Sequence, residues 1–222
     1  MIRKIKGILI IIMVALPLLC RAKESAPDTI SVRRAFIEMP SGVLDLLSQD
    51  ARLNMLDYYD VDSLRYKAIN NLRGDSRIEE LKPGYIRVAL TPVSSIQLKV
   101  LKMTNGRDIV MSIYTTGLGN DRDSKVEFFD ASLRKLETSK FLPDLKLKDF
   151  FSIPKGYQTS MKDIEEMIPF YSVWYEASAG SSTISGRLGY QEAVTLEDAK
   201  IIDMFALPSL TLGWNGKKFT LK

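Results

Sequence analysis

The segments YIRVALTP (residues 85–92), SSIQLKVLKM (94–103) and RDIVMSIYTT (107–116) decide the fold. Apolar and polar side chains alternate along each, and β-branched and aromatic residues dominate. A period of two places alternate residues on opposite faces of an extended chain, so these segments read as strands. The pattern begins near Arg77 and continues through KVEFFD (125–130) and LRKLET (133–138). TNG (104–106) and DAS (130–132) supply turns. Short strands joined by short turns predict an antiparallel meander. Alternating strands leave one face wet unless another layer covers it, and the segments upstream are the available cover.

Upstream, KESAPDTISVRRAF (23–36) carries no periodicity and reads as a polar leader, a flexible or loosely docked arm. The following stretch, residues 37–63, holds Val43, Leu46, Leu47 and Leu53 on one helical arc, but a continuous helix would set Asp50, Asn54 and Asp57 inside that arc. Burying such a polar stripe without partners is costly. A break near Ser48 removes the conflict, since serine caps a second helix whose first turn carries Asp50. The reading is one short helix at about 42–47, a second at about 49–58, and a third helical or irregular piece ending at Gly74. Downstream, FLPDLKLKDFFSIP (141–154) and TSMKDIEEMIPF (159–170) read as helical, and YSVWYEASA (171–179) and STISGRLGY (182–190) as strands. TLEDAKIIDMFA (195–206) reads as a helix capped by Thr195, and SLTLGWNGKKFTL (209–221) as a hairpin turning at Asn215-Gly216.

The predicted class is α+β: short N-terminal helices packed on a mainly antiparallel sheet. The hairpins KVEFFDASLRKLE and SLTLGWNGKKFTL share one form, which leaves open two similar α+β halves dividing near 140–160.

The N-terminus gives an address. Arg3, Lys4 and Lys6 precede ILIIIMVALPLL (8–19), an apolar run of secretory-signal length that is short for a transmembrane helix. Cys20 and Ala22 stand where a signal peptidase requires small residues, predicting cleavage before Lys23 and a periplasmic or secreted protein without a transmembrane helix. The alternative is a lipoprotein acylated at Cys20, although Leu19 is large for the position before the modified cysteine. Removing residues 1–22 takes away Arg3, Lys4, Lys6 and Arg21 and no acid, so the formal net charge falls from +4 to zero. The basic excess belongs to the targeting segment and argues no nucleic-acid binding.

The remaining 200 of the 222 residues contain no cysteine, and the chain has no histidine. Serine–histidine and cysteine–histidine nucleophiles and ordinary zinc sites are thereby excluded. Carboxylate catalysis, serine with lysine, and oxygen-ligated metals remain. Ser132 and Lys135 have S-x-x-K spacing but fall in a predicted hairpin rather than on one helical face. Asn120, Asp121 and Asp123 resemble a fragment of a calcium loop, yet Lys125 stands where the next ligand belongs, so a solvated turn is expected. Glu79 with Glu80 and Glu165 with Glu166 are sequence neighbours, whereas glycosidase carboxylates face each other across a bond. No metal or cofactor is expected.

MPSGVLDLLSQDARLNMLDYYD (39–60), LRGDSRIEELKPGYIRVALTPVSSIQLKVL (72–101) and WNGKKF (214–219) resemble an exported family of Bacteroides-type bacteria known as a domain of unknown function. The resemblance implies a Gram-negative envelope or secreted location and assigns no activity. Within it, Arg52, Asn54, Asp57 and Tyr58 are candidates for a polar recognition surface, against a helix that packs through Leu53 and Leu56. Trp174 and Trp214, with Tyr171, Tyr175 and Tyr190, are candidates for a sugar-binding face, against aromatic packing and, for Trp214, cross-strand pairing. The function expected is a non-catalytic binding or interaction module for an envelope protein or glycan. The alternative is a carboxylate-dependent hydrolase of an envelope or dietary glycan.

Overall fold

A computed structural model describes residues 28–62, 66–119, 121–190 and 194–222. The signal segment and Cys20 lie outside the described residues. Two helices come first: α1 (Val32–Glu38) and α2 (Gln49–Val61). Seven strands follow in sequence order as one antiparallel meander, sheet I: β1 (Ala68–Ile69), β2 (Asp75–Lys82), β3 (Tyr85–Thr91), β4 (Ser94–Lys102), β5 (Asp108–Thr116), β6 (Asp123–Asp130) and β7 (Lys135–Leu136). After two single-turn 3-10 helices, Thr138–Lys140 and Leu147–Phe150, come α3 (Met161–Met167), β8 (Ser172–Ala177), β9 (Thr183–Gly189), α4 (Leu196–Phe205), β10 (Leu210–Trp214) and β11 (Phe219–Leu221). The last four strands form sheet II, ordered β11-β10-β9-β8 and antiparallel throughout. The fold is α+β with antiparallel sheets.

Helix α1 falls in the stretch expected to be a leader. Ser31 caps it by accepting from Arg34 N, and Val32, Ala35 and Phe36 recur at helical spacing and are buried. It ends at Met39, which precedes Pro40 and is extended (ψ 130°). The helix expected at 42–47 is a run of turns instead. Gly42 has φ +90°, outside the helical region, and its N–H donates to Asp45 Oδ1 at 2.5 Å, while Leu44 and Leu47 anchor the turns in the core. The break at Ser48 is present: its hydroxyl accepts from Ala51 N at 3.1 Å and opens α2.

The buried face of α2 is Arg52, Met55 and Leu56 rather than an arc containing Leu53, which is 44% exposed. Of the stretch 61–74, Val61 ends α2, and the described part beyond it is not helical; it holds β1 and a turn closed by Asn70 N to Gly74 O. Residues 141–154 form a short 3-10 turn and irregular chain, with Leu145 and Phe150 packed into the core. The helices and strands expected after residue 159 are present, with Ser160 and Thr195 as caps and Asn215-Gly216 (Gly216 φ +84°) at the closing turn.

Sheet I is covered on both faces. Ile86, Val88, Ile96, Leu98 and Val110 pack beneath α1 and α2. The opposite face, Tyr85, Met111, Ile113 and Phe128 among it, packs against Tyr175, Ile184, Leu212 and Phe219 of sheet II. The two sheets have seven and four strands, and β6–β7 and β10–β11 are both edge hairpins. Ile164, Ile168, Ile202 and Phe205 of α3 and α4 make a third, smaller cluster with Leu147.

Candidate functional site

The site arises from the way sheet II meets sheet I. Strand β8 is an edge of sheet II, and the outward N–H groups of such an edge need partners. Sheet I supplies them from side chains: Tyr175 N donates to Ser124 Oγ at 3.0 Å and Ala177 N to Gln97 Oε1 at 2.9 Å. The Tyr85 hydroxyl lies 3.1 Å from both Gln97 Oε1 and the Ala177 carbonyl, and Lys99 Nζ donates to the Ser178 carbonyl at 2.6 Å. Sheet II therefore stands on sheet I along β8. Alternation along β8 then sets its two sides: Tyr175 and Ala177 enter the apolar core, whereas Trp174 and Glu176 face the other way.

On that other side lies a cleft of about 180 Å³, walled by Glu79, Arg87, Gln97, Arg122, Trp174 and Glu176 among others. Arg87 on β3 is its central ion. Its Nη1 donates to Glu176 Oε1 at 2.9 Å, and its Nε stands 3.2 Å from Glu79 Oε2, near enough for an ion pair but off the line of a hydrogen bond. Burial opposes the charge on Arg87, but the hydrogen bond and field of Glu176, with Glu79 behind it, hold the guanidinium above its ordinary pKa. Arg77 adds a 3.1 Å pair to Glu79, and Arg187 lies 3.9 Å from Glu176.

Trp174 is 5% exposed, and two guanidinium groups stack on its ring: Cζ of Arg122 at 4.9 Å from the centroid and Cζ of Arg187 at 4.8 Å. Its Nε1 is buried without a hydrogen-bond partner. Arg122 has no carboxylate partner among the described residues. Arg77, Arg87 and Arg187 thus hold the two carboxylates, while Arg122 stands on Trp174.

The lip of the cleft is apolar and ordered. Val93, 45% exposed at the β3–β4 turn, and Leu118, 61% exposed after β5, both line it, and Gly117 N donates to the Val93 carbonyl at 2.9 Å. Gly117 has φ +99°, and a Cβ there would stand 2.3 Å from the Asp121 carbonyl oxygen, so only glycine closes this turn. Three wall hydroxyls are hydrogen-bonded to a hydroxyl neighbour, Thr91 with Ser94 at 2.7 Å and Thr115 with Ser124 at 2.8 Å.

Residues 28–219 match the family described as "Protein of unknown function (DUF3256)". The chain belongs to this family. None of the curated proteins matches it. Among solved structures, a domain of an uncharacterized protein from Porphyromonas gingivalis W83 is similar, with a TM-score of 0.72 and 20% identity over 86% of this chain and 97% of that one. At that identity the likeness shows the fold alone.

In this family member the residues singled out from sequence do not converge. Arg52 is buried and donates through Nη1 to the carbonyls of Phe36 (3.0 Å) and Met39 (2.9 Å), where a cation satisfies the end of α1. Burial lowers its pKa. Asn54 and Asp57 are exposed, and Tyr58 stacks on Tyr66 with centroids 4.4 Å apart. These four belong to α2, across sheet I from the cleft. Trp214 pairs across strands with Phe219 (centroids 5.1 Å apart) and donates Nε1 to the Lys102 carbonyl at 2.8 Å. Tyr175 is buried, Tyr171 is exposed, and the Tyr190 hydroxyl donates to Asp203 at 2.6 Å. Of these candidates Trp174 and Tyr175 line the cleft, and the Trp174 ring is engaged by cations.

Ser132 lies in the β6–β7 turn, and Lys135 Nζ is engaged by Glu127 at 2.6 Å. Asp121 precedes β6 and Asp123 opens it; Asn120 lies outside the described residues. Among the described residues no three Cys, Asp or Glu side chains gather as metal ligands, and no helix is long and apolar enough to cross a membrane. Glu165 and Glu166 are exposed on α3. Sequence reasoning missed Arg87, Arg122, Glu176 and Arg187, and saw Glu79 only as half of an acidic pair.

Proposed function

We propose that the protein is an exported, non-catalytic binding module of the bacterial envelope and that it holds its ligand in the cleft beneath β8. The observation that carries this reading is Arg122: a guanidinium stacked on a buried tryptophan, lining a cleft, and unmatched by any carboxylate among the described residues. Ion pairs close to structural ends elsewhere among the described residues, as Arg33 does with Asp60, whereas Arg122 rests on Trp174 with its hydrogen-bonding fork to offer. The secretory signal read at residues 1–22 and the neutral mature charge support the address.

The test compares what the mature protein and its Arg122→Gln variant retain from an envelope extract. The expected result is a partner or glycan held by the wild type and lost from a variant that melts normally. Equal retention by both would overturn the assignment of the cleft.

A second reading draws on Glu79 and Glu176, two carboxylates in one cleft, as the pair of a hydrolase acting on an envelope or dietary glycan. Both are committed to Arg87 in this arrangement. Glycan hydrolysis abolished by Glu176→Gln would favour this reading over the first.

A further inference from the structure

Resting on that assignment of the cleft, we infer that the group it recognises is a single carboxylate carried on an apolar body, with the carboxylate on Arg122 and the body against Val93 and Leu118. Three features of the walls lead there. First, two guanidinium groups and two carboxylates line the cleft, and both carboxylates are held by Arg87; the guanidinium left without a carboxylate partner among the described residues is Arg122, so an anion at that position would complete the pairing. Arg87, by contrast, is already engaged on both sides. A planar guanidinium fork matches a carboxylate in two parallel hydrogen bonds, and stacking on Trp174 fixes the plane of that fork before any ligand arrives.

Second, the cleft limits the charge of its occupant. Glu79 and Glu176 line the same walls as Arg122. A group of one negative charge is drawn to Arg122, while a doubly charged phosphate brings a second charge into the field of two carboxylates. The cleft is small, with a volume of about 180 Å³. That suits one small acid or one terminal residue.

Third, the wall hydroxyls of Thr91, Ser94 and Thr115 are already hydrogen-bonded, Thr91 to Ser94 and Thr115 to Ser124. The accessible surface next to the anion site is instead the lip of Val93 and Leu118, tied in place through Gly117. An anion site beside an ordered apolar lip suits a carboxylate with a hydrocarbon neighbour, which burial of the lip would stabilise. Such a group has two sources, the free C-terminus of a peptide ending in an apolar residue and a free aliphatic acid.

The experiment titrates the mature wild-type protein with N-acetyl-leucine, N-acetyl-leucinamide, hexanoate and inorganic phosphate, following the indole N–H signal of Trp174 in proton–nitrogen correlation spectra. A Trp214→Phe variant assigns the two indole signals. The acid and its amide differ only at the carboxylate, so the comparison within the wild type needs no cleft variant. The expected result is a saturable shift with N-acetyl-leucine, weaker by about tenfold or more with the amide. Arg122→Gln should lose the same factor, and Arg122→Lys, which keeps the charge without the fork, should fall between.

Tighter binding of N-acetyl-leucine than of hexanoate points to a peptide terminus, and the reverse to a free acid; both support the carboxylate. Equal binding of the amide, tighter binding of phosphate, or no shift with either carboxylate overturns the inference. An unfolded Arg122→Gln leaves the acid–amide comparison to decide. Failure here with Arg122-dependent retention from extract intact would refute the carboxylate and leave the cleft as the site.

Discussion

The two faces of sheet I carry different work. Beneath α1 and α2 the face is apolar at its centre, around Ile86, Val88, Ile96, Leu98 and Val110, with Asp108, Ser112 and Glu127 buried around it, and the buried charge of α2, Arg52, is spent on backbone carbonyls. Beneath sheet II the face is apolar at one end, around Met111, Ile113 and Phe128, and passes through Gln97 and Lys99 to the ion pairs of Arg87 at the other. Both faces are built by the same alternating strands. The lesson is that the helical face holds the fold, while the second face gives up part of its apolar area to a polar seam that aims side chains into a cleft. Polar groups buried in this way cost stability unless satisfied, so their partners can be tested one at a time.

The comparison breaks most readily on the helical side. Leu56→Ala, at 3% exposure, should destabilise the protein by about 2–5 kcal/mol, while Leu53→Ala, at 44%, should cost less than about 1 kcal/mol. Chemical denaturation of the two variants measures the difference. Equal losses would mean that α2 does not pack as described.

The second face should reveal itself through pH. Burial pushes the phenols of Tyr85 and Tyr175 up to about 12, above the ordinary value near 10. Because the folded state holds these protons more tightly, their contribution is complete below pH ~10 and is lost as pH rises toward ~12, by up to about 2–3 kcal/mol each. Denaturation midpoints should therefore fall steeply across that window. Tyr85→Phe should flatten part of the fall, and an unchanged slope in both Tyr85→Phe and Tyr175→Phe would remove the seam as its cause.

Gln97→Leu sharpens the comparison further. It leaves the Tyr85 hydroxyl and the Ala177 N–H without their shared acceptor, at a cost of about 1–3 kcal/mol. Hydrogen exchange at the Ala177 amide should quicken more than at Val88, which belongs to the helical face. Arg122→Gln should cost least, less than about 1 kcal/mol, since it removes a half-buried stacking contact and no buried ion pair.

The strands of sheet I were legible because period-two alternation and short turns are local signals. The caps at Ser48, Ser160 and Thr195 and the Asn215-Gly216 turn were legible for the same reason. Helix α1 was hidden because its seven residues sit in a charged stretch, and only their contact with the sheet shows that Val32, Ala35 and Phe36 form a face. Gln97 and Lys99 alternate with Ile96 and Leu98 just as solvent-facing residues do; nothing local says that sheet II will cover them. The cleft was hidden more deeply still. Glu79, Arg87, Arg122, Trp174 and Glu176 come from β2, β3, the turn before β6, and β8, and no spacing in sequence joins them. Trp174 stood out only as a rare residue type.

The central claim is that recognition occurs beneath β8 and not on the exposed side of α2. Hydrogen-exchange protection, mapped on the mature protein with and without the ligand or partner it retains, tests this most directly. The account predicts protection concentrated in residues 91–97, 115–119 and 172–177, with α2 unchanged. Protection centred on Asn54, Asp57 and Tyr58, with the cleft exchanging as before, would contradict it.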